Sequence, residues 1–279
     1  MSLRFHHAAL SFLLVAGVVA CGGDDKSGGG AAPAPKKDGG AAPAPKADGG
    51  AAPAPSAGGK YDKAKGTATL KGVVKFKGTA PEQKTYGPLM GPEPKCAAHG
   101  SAAPIEKTEV NSDGSLPWVF VYATEGPSVG LGGYEAPAVE VDQKGCVYQP
   151  HVFGAMTGQK VVFANTDTFS HNVHVKGKKQ EWNKSQNAGQ KDEYTAQKEF
   201  GVKVICDVHS WMNSWMHVVD HTFFATSARG NGAYEIKGLY PGKHKFKAWH
   251  ENWAKDKPVE FEVELKDGEN VKDIEIAIQ

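Results

Sequence analysis

The chain has little charge imbalance, few cysteines and no helical patterning, and each shortage excludes something. Across 279 residues, 32 Lys plus Arg face 31 Asp plus Glu, a formal net charge of +1. No basic field exists to draw in nucleic acid. The apolar run at residues 8–20 falls short of the roughly 20 residues that a membrane-spanning helix needs. No stretch carries the three-to-four-residue apolar stripe of an amphipathic helix. Cysteines number four and methionines five, and no Cys-x-x-Cys-His run offers covalent haem attachment. No serine or cysteine lies in a nucleophile motif. His250-Glu251-Asn252-Trp253-Ala254 lacks the second histidine of a zinc-protease helix, because position 254 is alanine.

What is present alternates with period two. Ala68, Leu70, Val74 and Phe76 share one face of a first strand, and Val259, Phe261, Val263 and Leu265 interleave with Glu260, Glu262 and Glu264. Ile274, Ile276 and Ile278 end the chain in the same manner, and residues 118–123 are apolar on both faces, as in a central strand. The fold class is all-β.

The first 20 residues read as a signal peptide, with Arg4, His6 and His7 before the apolar run. Val18-Val19-Ala20-Cys21 fits a bacterial lipobox, so Cys21 is expected to carry lipid; the alternative is an ordinary secretory signal with Cys21 free or paired. Residues 21–62 form a disordered tether, in which Gly-Gly-Ala-Ala-Pro-Ala-Pro recurs before Lys36, Lys46 and Ser56. It serves as a leash or simply as a spacer. The expectation is a protein of the cell envelope, lipid-anchored to a membrane and facing the periplasm or the exterior.

Chemistry concentrates at Cys206-Asp207-Val208-His209-Ser210-Trp211-Met212, where a thiolate, an imidazole and a thioether follow at three-residue steps. A second imidazole, His171, lies upstream in Ser170-His171-Asn172-Val173-His174. His171, Cys206, His209 and Met212 make up the ligand set of a trigonal copper site with a weak axial sulfur, one type 1 copper ion. Residues 200–205 read as a strand delivering Cys206 to a sheet end, and residues 160–165 as a strand before the turn that leads to His171.

These motifs resemble the cupredoxins over residues 138–220, most of all the amicyanin and plastocyanin type and the copper proteins associated with methylamine utilisation. The resemblance implies a Greek-key β-sandwich in which His171, Cys206, His209 and Met212 bind copper and His174 does not. It makes Asn172 the tie between the two ligand loops. Two departures bear on the potential. Val208 and Ser210 stand where the amicyanin loop carries prolines, and Asp207 puts a carboxylate next to the sulfur, which favours the oxidised ion. Elsewhere, Gly230-Asn231-Gly232-Ala233-Tyr234-Glu235-Ile236, Leu239-Tyr240-Pro241-Gly242 and the opening Gly72-Val73-Val74-Lys75-Phe76-Lys77-Gly78 resemble the transthyretin-like sandwich of carboxypeptidase regulatory-like domains. Residues 63–137 and 222–279 then form two halves of that sandwich, with the copper domain, 138–221, inserted between them. The alternatives are two sandwiches in series or one enlarged sandwich.

With Cys21 assigned to lipid and Cys206 to metal, Cys96 and Cys146 are left for a disulfide; the alternative is a second metal site using Cys96 with His99, or Cys146 with His151. Trp249, His250 and Trp253 read as an aromatic corner around a satisfied histidine. Trp211 is assigned to a docking patch, Trp215 to the core, and His217 and His221 to strand faces. Lys176, Lys178, Lys179 and Lys184 form a solvated loop or a surface for an acidic partner. The functional expectation is a one-electron carrier rather than an enzyme, working with a redox partner protein and not with nucleic acid. A copper-binding or delivery module without redox turnover is the alternative, and an enzyme with an open copper position the third.

Overall fold

The computed structural model describes residues 59–179 and 181–277. The signal peptide at 1–20, Cys21, most of the tether and Ile278 lie outside the described residues. In chain order the strands are β1 (Ala68–Lys77), β2 (Phe120–Glu125), β3 (Val139–Gln143), β4 (Tyr148–Gln149), β5 (Val152–Met156), β6 (Lys160–Asn165), β7 (His171–Lys176), β8 (Glu181–Gln186), β9 (Lys191–Thr195), β10 (Val202–Ile205), β11 (Asn213–Val219), β12 (Phe224–Thr226), β13 (Ala233–Leu239), β14 (Gly242–Trp249), β15 (Val259–Leu265), β16 (Gly268–Val271) and β17 (Ile274–Ala277). Two short α-helices, α1 (Gly87–Met90) and α2 (Pro94–Gly100), lie between β1 and β2. Both begin at Gly-Pro or Pro, where the fixed proline φ suits a first turn.

Among the described residues the strands form four sheets in a nested order. β13-β1-β16, with β17 also on β1, and β12-β2-β14-β15 draw on both ends of the described chain. β5-β11-β10-β7-β8 and β4-β3-β6-β9 draw only on the residues between β2 and β12. Each pair of sheets encloses its own core. Val141, Phe163, Val173, Val204 and Met216 belong to the inner core; Leu70, Val121, Ile236, Phe246 and Ile276 belong to the outer one.

Alternation accounts for the edges: β15 buries Leu265 and half-buries Val259, Phe261 and Val263, while its glutamates face water. β2 lies between β12 and β14, and its Phe120, Val121 and Ala123 are all buried, as a run apolar on both faces requires. The two cores meet at Phe120, Val152 and Trp249, with Trp118, Tyr122, Trp215 and Phe224 packed around them. β5 approaches so closely here that a Cβ on Gly154 would lie 2.4 Å from the Phe224 ring and 2.6 Å from Phe120. Only glycine fits.

A disulfide joins Cys96 in α2 to Cys146 in the turn between β3 and β4, across a separation of 50 residues. On the chain-entropy model such a link is worth about 4 kcal/mol. It takes both cysteines away from any metal site with His99 or His151. His250 departs from the reading of a satisfied histidine. It is buried and stacked on Trp253 at 4.5 Å, and its Nδ1 accepts from the Asn252 N–H, but its Nε2 has no partner among the described residues. Burial pushes its pKa down to about 4, so the ring stays neutral.

Candidate metal centre

Three strand ends build the centre. β10 stops at Ile205, and the following loop closes on itself: the Met212 N–H donates to His209 O at 2.9 Å and the Cys206 N–H to Met212 O at 3.1 Å. β11 starts at Asn213, opposite Ile205 in the antiparallel register, so Cys206 and Met212 are the two ends of a tight turn. β7 pairs with β10 at Ile205 and His174, which carries His171 to the same sheet end as Cys206. The Tyr148 hydroxyl sits between the carbonyls of Asn172 (2.6 Å) and Ile205 (3.0 Å) and fastens the two strands beside the thiol.

His171 Nδ1 and His209 Nδ1 face each other at 3.0 Å, and Cys206 Sγ lies 3.7 Å from His209 Nδ1. Ligand atoms of His171, Cys206 and His209 all fall within 4.8 Å of one another, and all three residues are buried. Two ring nitrogens and a sulfur with lone pairs converging on one point are poor hydrogen-bonding company. They fit one ion bonded at roughly 2.0 Å to nitrogen and 2.3 Å to sulfur. Met212 is fully buried at the close of the loop. A soft sulfur with two imidazoles matches copper's preferences better than those of a hard, oxygen-seeking ion.

Asp167 is the residue that reading the sequence left without a role. Its Oδ2 accepts from His171 Nε2 at 2.8 Å, and the carboxylate also takes the Gly145 N–H (2.7 Å) and the Cys146 N–H (2.9 Å). A carboxylate can only accept, so the His171 proton sits on Nε2 and Nδ1 keeps its lone pair for a metal. Gly145 and Cys146 both have positive φ, and the disulfide holds that turn in place. The only sequence trace of this contact is an aspartate four residues before a histidine. Asp167, Cys146 and His171 also cluster closely, but the disulfide removes Cys146 as a ligand.

Burial opposes charge on His171, yet the Asp167 hydrogen bond and the neighbouring Cys206 outweigh it and hold its pKa above the usual value. His209 moves the other way, lowered by burial and then by His171. For Cys206, burial is overcome by hydrogen bonds from His171 and from nearby backbone, so the thiol ionises more readily than usual. The shifts at Cys206 and His209 favour the thiolate and neutral imidazole that a metal needs, whereas a metal at His171 would have to displace the proton favoured there by Asp167.

Asn172 links both ligand segments: its Oδ1 accepts the Asp207 N–H at 2.7 Å and the Cys206 thiol at 3.2 Å. Asp207 differs from the expectation of a carboxylate acting on the sulfur. Its side chain is 45% exposed and turned to His174 Nδ1, Asn172 Nδ2 and Asn183 Nδ2. His174, three residues past His171 in the strand, is engaged by Asp207 and by Glu181 at 2.8 Å.

Trp211 and Trp215 are both half-buried, so neither matches a simple split between patch and core. Trp211 packs on His209 at 5.2 Å and donates Nε1–H to Cys146 O at 3.0 Å. Trp215 packs against Trp249 at 5.5 Å. His217 is buried among Phe120, Phe200 and Trp249, and His221 donates to Ala123 O; neither reaches the centre. Lys176, Lys178 and Lys179 line a cleft of about 840 Å³ with Tyr122 and Phe200; Lys184 is exposed on β8.

No family model and no curated protein matches this chain. Among solved structures, the purple cupredoxin of Nitrosopumilus maritimus aligns with 29% of this chain and 99% of its own, at 20% identity and TM-score 0.27. A Cu(I) form of an amicyanin variant aligns with 29% of this chain and 82% of its own, at 19% identity and TM-score 0.28. The copper-containing nitrite reductase of Thermus scotoductus SA-01 aligns with 34% of this chain, at 23% identity and TM-score 0.28, and only 25% of the reductase is covered. Similarity at this level carries no weight for chemistry, which rests on the three converging side chains.

Proposed function

We propose that the chain binds one copper ion through His171, Cys206, His209 and Met212 and carries single electrons outside the cytoplasm. The observation that supports it is the meeting of Cys206 Sγ with the ring nitrogens of His171 and His209 inside a buried pocket. Bound there, copper would supply a one-electron couple whose two oxidation states tolerate the same donors. The protein's part is to hold those donors still. Asp167 fixes the His171 tautomer, Asn172 ties the loops, and Trp211 braces the His209 ring against the disulfide turn.

His209 is 5% exposed, beside Val208 at 70%, so a redox partner protein would approach at that edge. On this reading Cys21 carries the lipid, the tether spans from a membrane facing the periplasm or exterior, and the outer sandwich, regulatory-like in pattern, is the host of an inserted copper domain.

The test is the visible spectrum and voltammogram of the copper(II)-loaded protein. An intense thiolate-to-copper band, lost in Cys206→Ser, with a reversible one-electron wave, is the expected result. Absence of the band from the parent protein overturns the reading. A band with rapid loss of copper to a chelator and no reversible wave would assign the protein to copper holding and delivery instead.

A further inference from the structure

The stretch His250-Glu251-Asn252-Trp253 belongs to the outer sandwich, yet the partners of Glu251 lie in the inner one. Glu251 Oε1 meets His151 Nε2, and Oε2 accepts from Trp215 Nε1 at 2.7 Å. His151 Nδ1 in turn donates to Asn213 O at 3.1 Å, while the Trp215 N–H returns to His151 O at 2.8 Å. The Ser214 hydroxyl closes the group on Pro150 O and His151 O. Two more outer-sandwich rings complete the socket: Trp249 stands edge-on to Trp215 at 5.5 Å, and Trp118 edge-on to His151 at 6.0 Å. Trp118 holds this place at φ 63°, a conformation unfavourable for a bulky residue, with its Nε1 bonded to Glu109 at 2.9 Å.

What the socket grips is the exit of the metal loop. Asn213 directly follows Met212, whose carbonyl accepts the Cys206 N–H. Two successive carbonyls are therefore fixed from opposite sides, Met212 O from the thiol-bearing residue and Asn213 O from His151. A buried ion pair is a poor source of net stability, since desolvation offsets most of its attraction, but it fixes geometry strongly.

We infer that Glu251 is a positioning residue for the metal loop: from the outer sandwich it locks His151 and Trp215, and through them the Met212–Asn213 segment, so one sandwich sets the metal geometry of the other. The inference rests on the copper reading for its consequence, although not for the clamp itself. Burial works against charging His151, and the Glu251 hydrogen bond outweighs it; burial likewise works against the Glu251 carboxylate, and His151 and Trp215 outweigh it. His151 Nδ1 faces the Asn213 carbonyl and Nε2 the Glu251 carboxylate, and neither of these can donate, so both ring N–H groups of His151 donate.

The test uses the whole chain with Glu251→Gln and Trp215→Phe. Tyr234→Phe serves as a control, because it removes a half-buried hydroxyl–carbonyl bond between β13 and the turn after β16, at Lys272 O. In the copper-free protein, amide exchange at Cys206 and Met212 should quicken about tenfold in both test variants, the equivalent of one lost hydrogen bond. In the copper(II)-loaded protein, the electron paramagnetic hyperfine splitting should shift, and release to excess EDTA should quicken by about tenfold, as for other groups that orient ligands. The control should leave exchange and spectrum unchanged. Test variants with exchange and spectra like the parent overturn the inference. Should Glu251→Gln fail to fold, Trp215→Phe decides alone, because phenylalanine keeps the ring contact with Trp249. A parent without a thiolate–copper band but with exchange quickened in the variants would sink the copper reading and leave the clamp standing.

Discussion

At the scale of single residues, the centre depends on groups that never touch a metal. Asp167 is the clearest. Its carboxylate is fed by two backbone N–H groups and spends its remaining capacity on His171 Nε2. Asp167→Asn keeps the shape but offers one oxygen instead of two, so the ring loses its fixed tautomer. Copper affinity is expected to fall by roughly 10–100-fold, measured by competition with a chelator, while circular dichroism stays unchanged. Asp207 provides the contrast. Its carboxylate is half in water and turned to His174, so Asp207→Asn should change copper affinity less than threefold in the same competition assay, on the order of an exposed pair's worth. The four ligand candidates were legible because their residue types and steps are chemically distinctive. Asp167 was not, because an aspartate in a polar turn looks like any other turn residue until the partner's ring is placed.

Among the elements, alternation did most of the predicting. β15, β17 and the buried face of β1 follow directly from their patterns of apolar and polar residues. The short helices α1 and α2 had no such signature, since four and seven residues are too few to write a stripe. Their place is fixed instead by the Cys96–Cys146 bond. Replacing both cysteines with serine should lower the unfolding free energy by about 4 kcal/mol, read from urea denaturation. It should also loosen the turn that feeds Asp167. At the join between the cores, Gly154→Val would drive its side chain into the rings of Phe120 and Phe224. An overpacking penalty of roughly 1–3 kcal/mol is expected, visible as a lower urea midpoint with an unchanged slope.

For the whole molecule, buried histidines set the acid limit of stability. Burial pushes His217 down to about 3, and His221 and His250 down to about 4. Unfolded, each would titrate near 6.5. As pH falls below that value the unfolded chain takes up protons that the folded chain refuses, so the contribution of these three is full above it and declines below. Each histidine contributes a slope of about 1.4 kcal/mol per pH unit until its folded value is reached. His151, His171 and His174, whose values are raised, act only above their unfolded value, where rising pH removes their contribution. Urea unfolding at pH 7, 6 and 5 should show the decline, and His217→Phe should reduce the slope by one histidine's share. The long-range pairings behind this behaviour, His151 with Glu251 or His217 with Trp249, join residues far apart in the chain. No local pattern announces them.

The route of the chain through its sheets has a practical corollary. It leaves β2 at Glu125 and returns in β12, where Phe224 pairs with Tyr122, so departure and arrival share one doorway. A folded unit whose two ends emerge side by side can be swapped for another without redrawing its host. The outer sheets would thus accept a different segment at that doorway, provided the newcomer offers Glu251 and Trp249 something to hold and Cys96 on α2 a partner to replace Cys146.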